Sequence, residues 1–305
     1  MRLALPSRYV FHGGARVKRK WLPYIFLIPT YVIIVLFIYI PAADSFYSSF
    51  MKISVFGNRK IFVGLQNYLN LFQDPDYILA VRFTLIYTAA TVLVSIFLSF
   101  FFALLLDQKV PGSRIYRTLI FAPYAVSHAV AGALWGFLLN SVVGHVNYLT
   151  RTLFGIQAQW LTTKPFAAYS LIIASIWKTL PFNIIFYLAA LQNISSEVIE
   201  ASIIDGTNSW TRTWKIIFPL VSPITFYLVI MSIISSMFQS FAIIDVMTKG
   251  GPGGYTTNMI YKLFMDGFRF QKTGLASAEN VILFFIMIVV TVIYFSAAQK
   301  RVHYQ

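Results

Sequence analysis

A short run of charged residues stands out in an otherwise apolar chain. Glu197, Glu200 and Asp205, three of its ten acidic residues, lie within nine positions and are followed by Gly206. No HExxH, GxSxG or EF-hand pattern occurs, and no clustered Ser/His/Asp arrangement indicates hydrolysis. The chain has no cysteine, which excludes zinc thiolate sites and thiol chemistry. These carboxylates therefore indicate a binding surface, and no catalytic residue, metal ligand or cofactor site is expected in this chain.

Two further ionisable side chains interrupt apolar runs. Lys178 shares one predicted helix face with three polar residues, Ser175, Thr179 and Asn183. If this run crosses a membrane, the lysine faces a cavity or an anionic partner; alternatively it lies near an interface and extends its ammonium to water. His128 is either a titrating group or a hydrogen-bonded packing residue.

A third polar pattern is a stripe at positions i, i+3, i+4, i+7 and i+8, formed by Ser232, Ser235, Ser236, Gln239 and Ser240. This spacing places all five residues on one face of a helix. The small residues also fit the small-xxx-small spacing that lets membrane helices approach closely. The stripe is therefore either the lining of a pathway or a packing seam, and Gln239 favours a wet face.

The elements that carry these residues are predicted to be membrane helices. The chain has 305 residues, of which 58% are hydrophobic and 11% charged, whereas soluble domains average about a quarter charged. Six runs have the length of about 20 residues that a helix needs to cross a bilayer. They lie at about 21–43, 84–106, 118–139, 166–189, 221–244 and 279–298. The predicted fold is an all-α integral membrane protein with six transmembrane helices.

Basic residues before the first run predict the orientation. Arg16, Lys18, Arg19 and Lys20 place the N-terminus in the cytoplasm by the positive-inside rule. Six spans then return the C-terminus to the same side. The predicted organisation is a cytoplasmic tail at 1–20, a six-span domain at 21–298 and a cytoplasmic tail at 299–305. The net charge of +14 is spread over both faces, which fits contact with anionic lipid and not nucleic acid.

The segment at about 190–219 is predicted to be cytoplasmic and to form two short helices. Ser195 or Ser196 caps the first helix, and Glu197 interacts favourably with its dipole. Gly206 suits the left-handed residue that ends it, and Thr207 or Asn208 caps the second. We expect this surface to bind a partner, because three carboxylates beside anionic lipid argue against a loop lying on the bilayer.

The spacing of this segment resembles a family motif. The sequence Glu200-Ala201-Ser202, then three residues, Gly206, nine residues and Ile216-Ile217-Phe218-Pro219 is similar to the "EAA" loop of binding-protein-dependent ABC importer permeases. Further similar stretches include WLPYIFLIP, FVGLQNYLNLF, GSRIYRTLIFAPYAV, SIWKTLPFNIIFYLAALQNIS and TKGGPGGYTT. The stretches APYAVSHAVAGALWGFLLN and KRVHYQ are most similar to permeases of sn-glycerol-3-phosphate importers. Departures from the pattern are Ser202, Thr207, Phe218 and His128.

The resemblance implies a type I importer permease fold in the bacterial inner membrane. It implies a heterodimer with a second permease, two copies of a cytoplasmic ABC ATPase that bind ATP and magnesium, and a soluble solute-binding protein outside. The residues that the resemblance assigns to ATPase coupling are Glu200, Ala201, Asp205, Gly206, Ile216 and Pro219. The candidate translocation pathway comprises Lys178, Asn183, Ser232, Ser235, Ser236, Gln239 and Ser240.

Two alternatives remain open from the sequence. One keeps the importer architecture and moves a neutral oligosaccharide. The other is a secondary transporter driven by an ion gradient, for which Lys178 and His128 are the candidate relay residues, with Asp245 near the outer edge. The glycine-rich run from Thr248 lacks the Gly-Lys-Ser/Thr ending of a phosphate-binding loop, and we expect an ordered loop on the outer side.

Overall fold

A computed structural model describes residues 22–54, 59–108 and 112–299. The whole predicted N-terminal tail, 1–20, and residues 300–305 of the predicted C-terminal tail lie outside this described part. The chain divides into two units, residues 1–45 and 46–305.

The first unit contains most of one apolar helical segment, whose last residues, Phe46 to Ser48, belong to the second unit. Helix α1 spans Leu22–Ile34, a π-helical turn spans Val35–Tyr39, and α2 spans Ile40–Ser48. Together, Tyr24–Ser48 are long and apolar enough to cross a membrane. The helix therefore continues past the predicted end at residue 43, because Asp44 and Ser45 are compatible with helix although they lower the local hydropathy.

The second unit begins with a small hairpin and a short helix. Strands β1, Met51–Ile53, and β2, Lys60–Phe62, pair antiparallel with Met51 opposite Phe62. Helix α3 follows at Gln66–Gln73.

Three long helices of the second unit are long and apolar enough to cross a membrane: α4, Pro75–Asp107; α8, Phe166–Gln192; and α15, Thr273–Gln299. Both α4 and α15 start well before the predicted spans at 84 and 279. The reason is local for α4, where Asp74 accepts a hydrogen bond from the backbone N–H of Asp76 and Pro75 occupies the first turn, a favourable helix start.

The third and fifth predicted spans are bent pairs of helices and not straight rods. Helix α5, Ser113–Ala125, and α6, His128–Leu138, meet at 105°. The break is stabilised by Ser127, whose side chain accepts a hydrogen bond from the N–H of Val130. The described chain therefore has four unbroken candidate spans, and six when each bent pair counts as one.

The fifth span is interrupted twice. After α7, His145–Phe154, and α8, the chain forms α9, Ser196–Ile204, and α10, Ser209–Arg212. A π-helical turn at Thr213–Ile217 and α11, Phe218–Leu220, lead into α12, Ser222–Phe238, across a 70° bend. Helix α13, Ser240–Met247, begins after a break at Gln239. Two further elements, α14 at Met259–Phe264 and a π-helical turn at Met265–Arg269, precede α15.

Helix α4 packs along α8 and joins the core clusters of the second unit. Near one end of α8 the core contains Phe100, Tyr187 and Leu228. Near the other end it contains Leu171 and Ile244. Because α8 contacts α4, α5, α6, α12 and α13, it is the element that positions the polar residues described below.

Candidate functional site

The charged segment folds as the two short helices that the sequence predicts. Ser195 accepts a hydrogen bond from the N–H of Glu197 and starts α9. Gly206 follows α9 with a left-handed φ of +73°, and the N–H of Thr207 returns to the carbonyl of Ser202 at 3.0 Å. Asn208 then caps α10 by accepting from the N–H of Thr211 at 2.8 Å. The turn is therefore specified by local hydrogen bonds and by the one residue type that adopts this φ at little cost.

The surface of this segment, which we call the coupling segment (residues 193–221), combines apolar and acidic groups. Its large exposed apolar side chains are Val198, Ile203, Ile204, Trp210 and Leu220. The carboxylates of Glu197, Glu200 and Asp205 are exposed. Among the described residues, none of these carboxylates forms an ion pair. The segment therefore presents an unpartnered surface suited to a protein with a groove that contains both apolar and basic groups.

The other candidate coupling residues occupy the same segment. Ala201 and Pro219 are exposed, and Ile216 is half-buried. The Ser202 side chain, which stands in place of an alanine in the motif, is buried and donates to the carbonyl of Ile199 at 2.6 Å. A serine is tolerated at this position because its hydroxyl is satisfied within the helix.

An aromatic stack connects the coupling segment to α4. The ring of Trp214 lies 6.0 Å from that of Phe100 and 5.3 Å from that of Phe218. Phe100 also contacts Tyr187 of α8 at 5.5 Å. This stack is not predictable from the sequence, because the aromatic residues of α4 form no recognisable motif. A displacement of the coupling segment must move α4 and α8 or break these contacts, since interiors are close-packed.

A cavity of about 280 Å³, lined by both polar and apolar side chains, lies where the α5–α6 bend meets α8 and α12. Lys178 of α8 lines it and is 7% exposed. Its Nζ donates to the backbone carbonyl of Tyr124 at 3.3 Å and lies 5.3 Å from the centre of the Tyr124 ring. His128, Ser235 and Gln239 form further parts of the wall. Lys178 therefore lies inside the second unit and beside a cavity, not at an exposed end of α8.

The polar stripe of the fifth span divides between the cavity and the protein interior. Ser235 donates to the side-chain oxygen of Gln239 at 3.0 Å on the accessible side. Ser236 and Ser240 are buried; Ser236 donates to the carbonyl of Ile233, and Ser240 accepts from the Asn258 side chain at 2.8 Å. Ser235 and Ser236 are adjacent on α12 and so point roughly 100° apart around the helix, while the break at Gln239 places Ser240 in α13.

Asn183 and Ser232 form one of the contacts between α8 and α12. Asn183 is fully buried, and its amide nitrogen lies 3.3 Å from the Ser232 hydroxyl. Asn183 does not line the cavity, whereas Ser232 contributes to its wall. Both interpretations of the stripe thus apply, each to different residues.

A network of charged side chains, which the sequence did not predict, lies at the end of α8 that is remote from the coupling segment. Lys262 of α14 lies 3.1 Å from Asp74 and 2.8 Å from Asp266, and Asp266 is 3.5 Å from Lys272. Burial alone would lower the pKa of Lys262, but the hydrogen bonds to Asp266 and Asp74 outweigh it and raise that pKa. Burial alone would raise the pKa of Asp74, but the hydrogen bond from Lys262 outweighs this effect and lowers that pKa. The network ties the start of α4 to α14.

The glycine-rich loop is ordered by internal hydrogen bonds, as expected. The Thr256 hydroxyl donates to the carbonyl of Gly251 at 2.6 Å and lies 2.9 Å from the Thr248 hydroxyl. The backbone N–H of Thr256 donates to the carbonyl of Gly250. The loop therefore uses its own polar groups for structure.

Comparisons with known proteins agree with this architecture. The family model described as "Binding-protein-dependent transport system inner membrane component" matches residues 95–303, and the chain belongs to this family. It is a multi-pass membrane protein of the type I importer permease fold.

Curated relatives cover nearly the whole chain. The sn-glycerol-3-phosphate transport system permease protein UgpA of Salmonella typhi is 36% identical over 288 residues, covering 94% of this chain and 97% of that protein. The protein of the same name from Brucella abortus biovar 1 (strain 9-941) is 38% identical over 285 residues, covering 93% of this chain and 97% of that protein.

Solved structures show the same fold. A bacterial ABC transporter involved in the import of the acidic polysaccharide alginate superposes with a TM-score of 0.83 at 21% identity, covering 93% of this chain and 97% of that one. A second structure is the alginate ABC transporter in complex with an alginate pentasaccharide-bound periplasmic protein. It superposes with a TM-score of 0.81 at 21% identity, covering 93% of this chain and 96% of that one. At this identity the likeness concerns the fold.

Proposed function

We propose that this chain is one of two permease subunits of an ATP-driven importer of sn-glycerol-3-phosphate. Two copies of a cytoplasmic ABC ATPase bind ATP and magnesium and hydrolyse the nucleotide. A soluble solute-binding protein delivers the substrate from outside. The chain itself carries no catalytic residue and no cofactor, and both of its termini lie in the cytoplasm of a bacterium.

The observation that carries this proposal is the geometry of the coupling segment. Two short helices meet at the left-handed Gly206, their apolar and acidic side chains are exposed, and Trp214 links them to the core of α4. Such an arrangement transmits movement of a docked ATPase to the membrane helices. ATP shifts the conformation because the closed ATPase dimer fits one arrangement of the coupling segments better than the other.

The substrate assignment rests on the relatives, which carry the name of the glycerol-3-phosphate permease and match 93–94% of this chain. An importer of a neutral oligosaccharide remains the second candidate, because it has the same architecture. Family membership argues against the ion-driven secondary transporter.

The proposal is tested with the complex purified through this subunit and placed in lipid nanodiscs. ATP hydrolysis is measured after addition of the cognate binding protein loaded with glycerol-3-phosphate or with a neutral oligosaccharide. We expect stimulation by the phosphate-loaded form alone. Stimulation by the sugar-loaded form alone would replace the substrate, and a subunit that purifies without an ATPase would overturn the proposal.

A further inference from the structure

Among the described residues, no carboxylate forms an ion pair with the buried ammonium of Lys178. It is 7% exposed, and among the described residues its polar contacts are the Tyr124 carbonyl at 3.3 Å and the Tyr124 ring at 5.3 Å. None of the ion pairs in the described part of the chain includes Lys178. A charge in the membrane is costly unless a partner compensates it. The ammonium therefore has the capacity for an anion that this chain does not supply.

The cavity beside Lys178 has room for such an anion. Its volume of about 280 Å³ is several times the roughly 30 Å³ that one water molecule occupies in the liquid. The exposed Gln239 carries an amide N–H₂ group on this wall, and its oxygen accepts from Ser235. His128 adds a ring N–H able to donate a hydrogen bond, whereas the Thr179 hydroxyl already donates to the carbonyl of Ser175 at 2.8 Å.

The rest of the wall is apolar. Tyr124, Phe182 and Met231 face the same space, and the rings of Tyr124 and Phe182 stack 6.0 Å apart. A small molecule with a charged group at one end and a short carbon chain at the other matches a cavity with one polar and one apolar side. Polar groups fix the orientation of the charged end, and the apolar side accepts the carbon atoms.

We infer that this cavity is the subsite for the phosphate group of a phosphate monoester substrate during its passage, with Lys178 as its positive partner. The inference deepens the proposed function and rests on it. The phosphate dianion accepts charge-assisted hydrogen bonds from the Lys178 ammonium. It also accepts from the Gln239 amide. A neutral sugar makes no such pairing, so the cavity distinguishes the two candidate substrates.

The first test reads the cavity directly and requires no transport. Because the chain has no cysteine, Ser235→Cys introduces a unique thiol into this subunit beside Lys178. Its labelling in the purified complex is compared for negatively and positively charged methanethiosulfonates. We expect a preference for the negative reagent of roughly tenfold, from the local positive potential. Lys178→Gln in the same background should abolish this preference, whereas Lys60→Gln, at an exposed residue of β2, should leave it unchanged. An unchanged preference with Lys178→Gln would overturn the inference.

Competition identifies the anion. Glycerol-3-phosphate and inorganic phosphate should slow the labelling, while glycerol at the same concentration should not. The measurement is made in nanodiscs of zwitterionic lipid and repeated with phosphatidylglycerol. Slower labelling that requires the anionic lipid, or protection by glycerol itself, would overturn the phosphate assignment.

The second test separates this inference from the proposed function. In the reconstituted complex, Lys178→Gln should lower glycerol-3-phosphate uptake about tenfold or more. ATPase stimulation by the loaded binding protein should persist, and Lys178→Arg should recover part of the uptake because it retains the charge. Equal uptake by wild type and Lys178→Gln would overturn the subsite while leaving the importer intact. If wild type itself shows no stimulation, the proposed function fails, and the labelling result still decides whether the cavity binds phosphate. Co-purification of the partner subunits shows that each variant has folded.

Discussion

The indole ring of Trp214 in the coupling segment packs against the ring of Phe100 in α4, with the centres 6.0 Å apart. These residues are far apart in sequence and belong to elements with different roles. Phe100 is 4% exposed, so it forms part of the core and not of the lipid-facing surface. The contact gives the coupling segment a mechanical connection to a membrane-spanning helix.

Replacing Trp214 should weaken this connection. We expect Trp214→Ala to retain basal ATP hydrolysis in the assembled complex and to lose most of the stimulation by the loaded binding protein. The expected loss reflects the removal of buried aromatic contacts, each contributing about 0.5–1.5 kcal/mol beyond area burial. ATPase activity with and without binding protein measures it. Phe101→Ala, at the adjacent exposed residue of α4, is the control, and equal stimulation of both variants would contradict the role of the stack.

Gly206 should not tolerate a β-branched residue. Its φ is +73°, and a Cβ added there would meet no atom within 4 Å, so backbone strain and not crowding opposes the substitution. A left-handed conformation costs an L-residue about 1–2 kcal/mol, which corresponds to about tenfold in an equilibrium. We expect Gly206→Val to insert normally and to reduce uptake by about this factor.

The matched control for this prediction is Gly155. It ends α7 with φ +68° and also has open space around it, but it lies near the other end of α8. Gly155→Val should carry the same strain and preserve transport. If both variants transport equally well, the conformation of Gly206 has no special role in coupling.

The network around Lys262 should stabilise the protein. Lys262→Met leaves the buried Asp266 and the half-buried Asp74 without their shared cation. For Asp266, loss of one partner of a buried pair costs about 3–5 kcal/mol. Lys272→Met removes a lysine whose side chain is 58% exposed, where an ion pair contributes about 0–1 kcal/mol. Thermal unfolding followed by size-exclusion chromatography in detergent should therefore separate the two variants. Equal unfolding temperatures would show that the network contributes little.

The polar stripe gives a prediction about two neighbouring serines. Ser235 lines the cavity, while Ser236 is 6% exposed and donates to the carbonyl of Ile233. A thiol placed at Ser235 should react with water-soluble reagents much faster than one placed at Ser236, because a buried thiol is both inaccessible and more weakly ionised. Labelling rates of Ser235→Cys and Ser236→Cys in each nucleotide state measure the difference. Similar rates in every state would show that the division of the stripe is wrong.

Features governed by local interactions could be predicted from the sequence. Ser195 and Asn208 cap helices through hydrogen bonds to residues two or three positions away, and Gly206 supplies the left-handed turn between them. The two short helices therefore follow from residue type and spacing. The apolar runs also locate the membrane helices, because bilayer thickness sets their length. The starts of α4 and α15 were placed too late, since Asp76 and Arg82 lower the local hydropathy near the start of α4, and α15 begins with the weakly hydrophobic Thr273 and Gly274.

Features governed by distant contacts could not be predicted. The apolar run at 118–139 gives no hydropathy signal for its 105° bend, since hydropathy does not record direction. Pro219, just before the run at 221–244, indicates a bend into the fifth span but not its angle of 70°. Burial of Lys178 beside a cavity depends on Tyr124 and α12, which lie far from it in sequence.

The sequence by itself determined the membrane class, the positions of the helices and the coupling segment, because helix length, capping and glycine conformation are local properties. The tertiary structure decided which polar residues line the cavity and which pack. It also decided that Phe100 receives Trp214 and that Lys262 joins Asp74 to Asp266. The physical reason is that each of these contacts requires two elements to meet in space, and helical periodicity specifies the faces of one helix without specifying its neighbour.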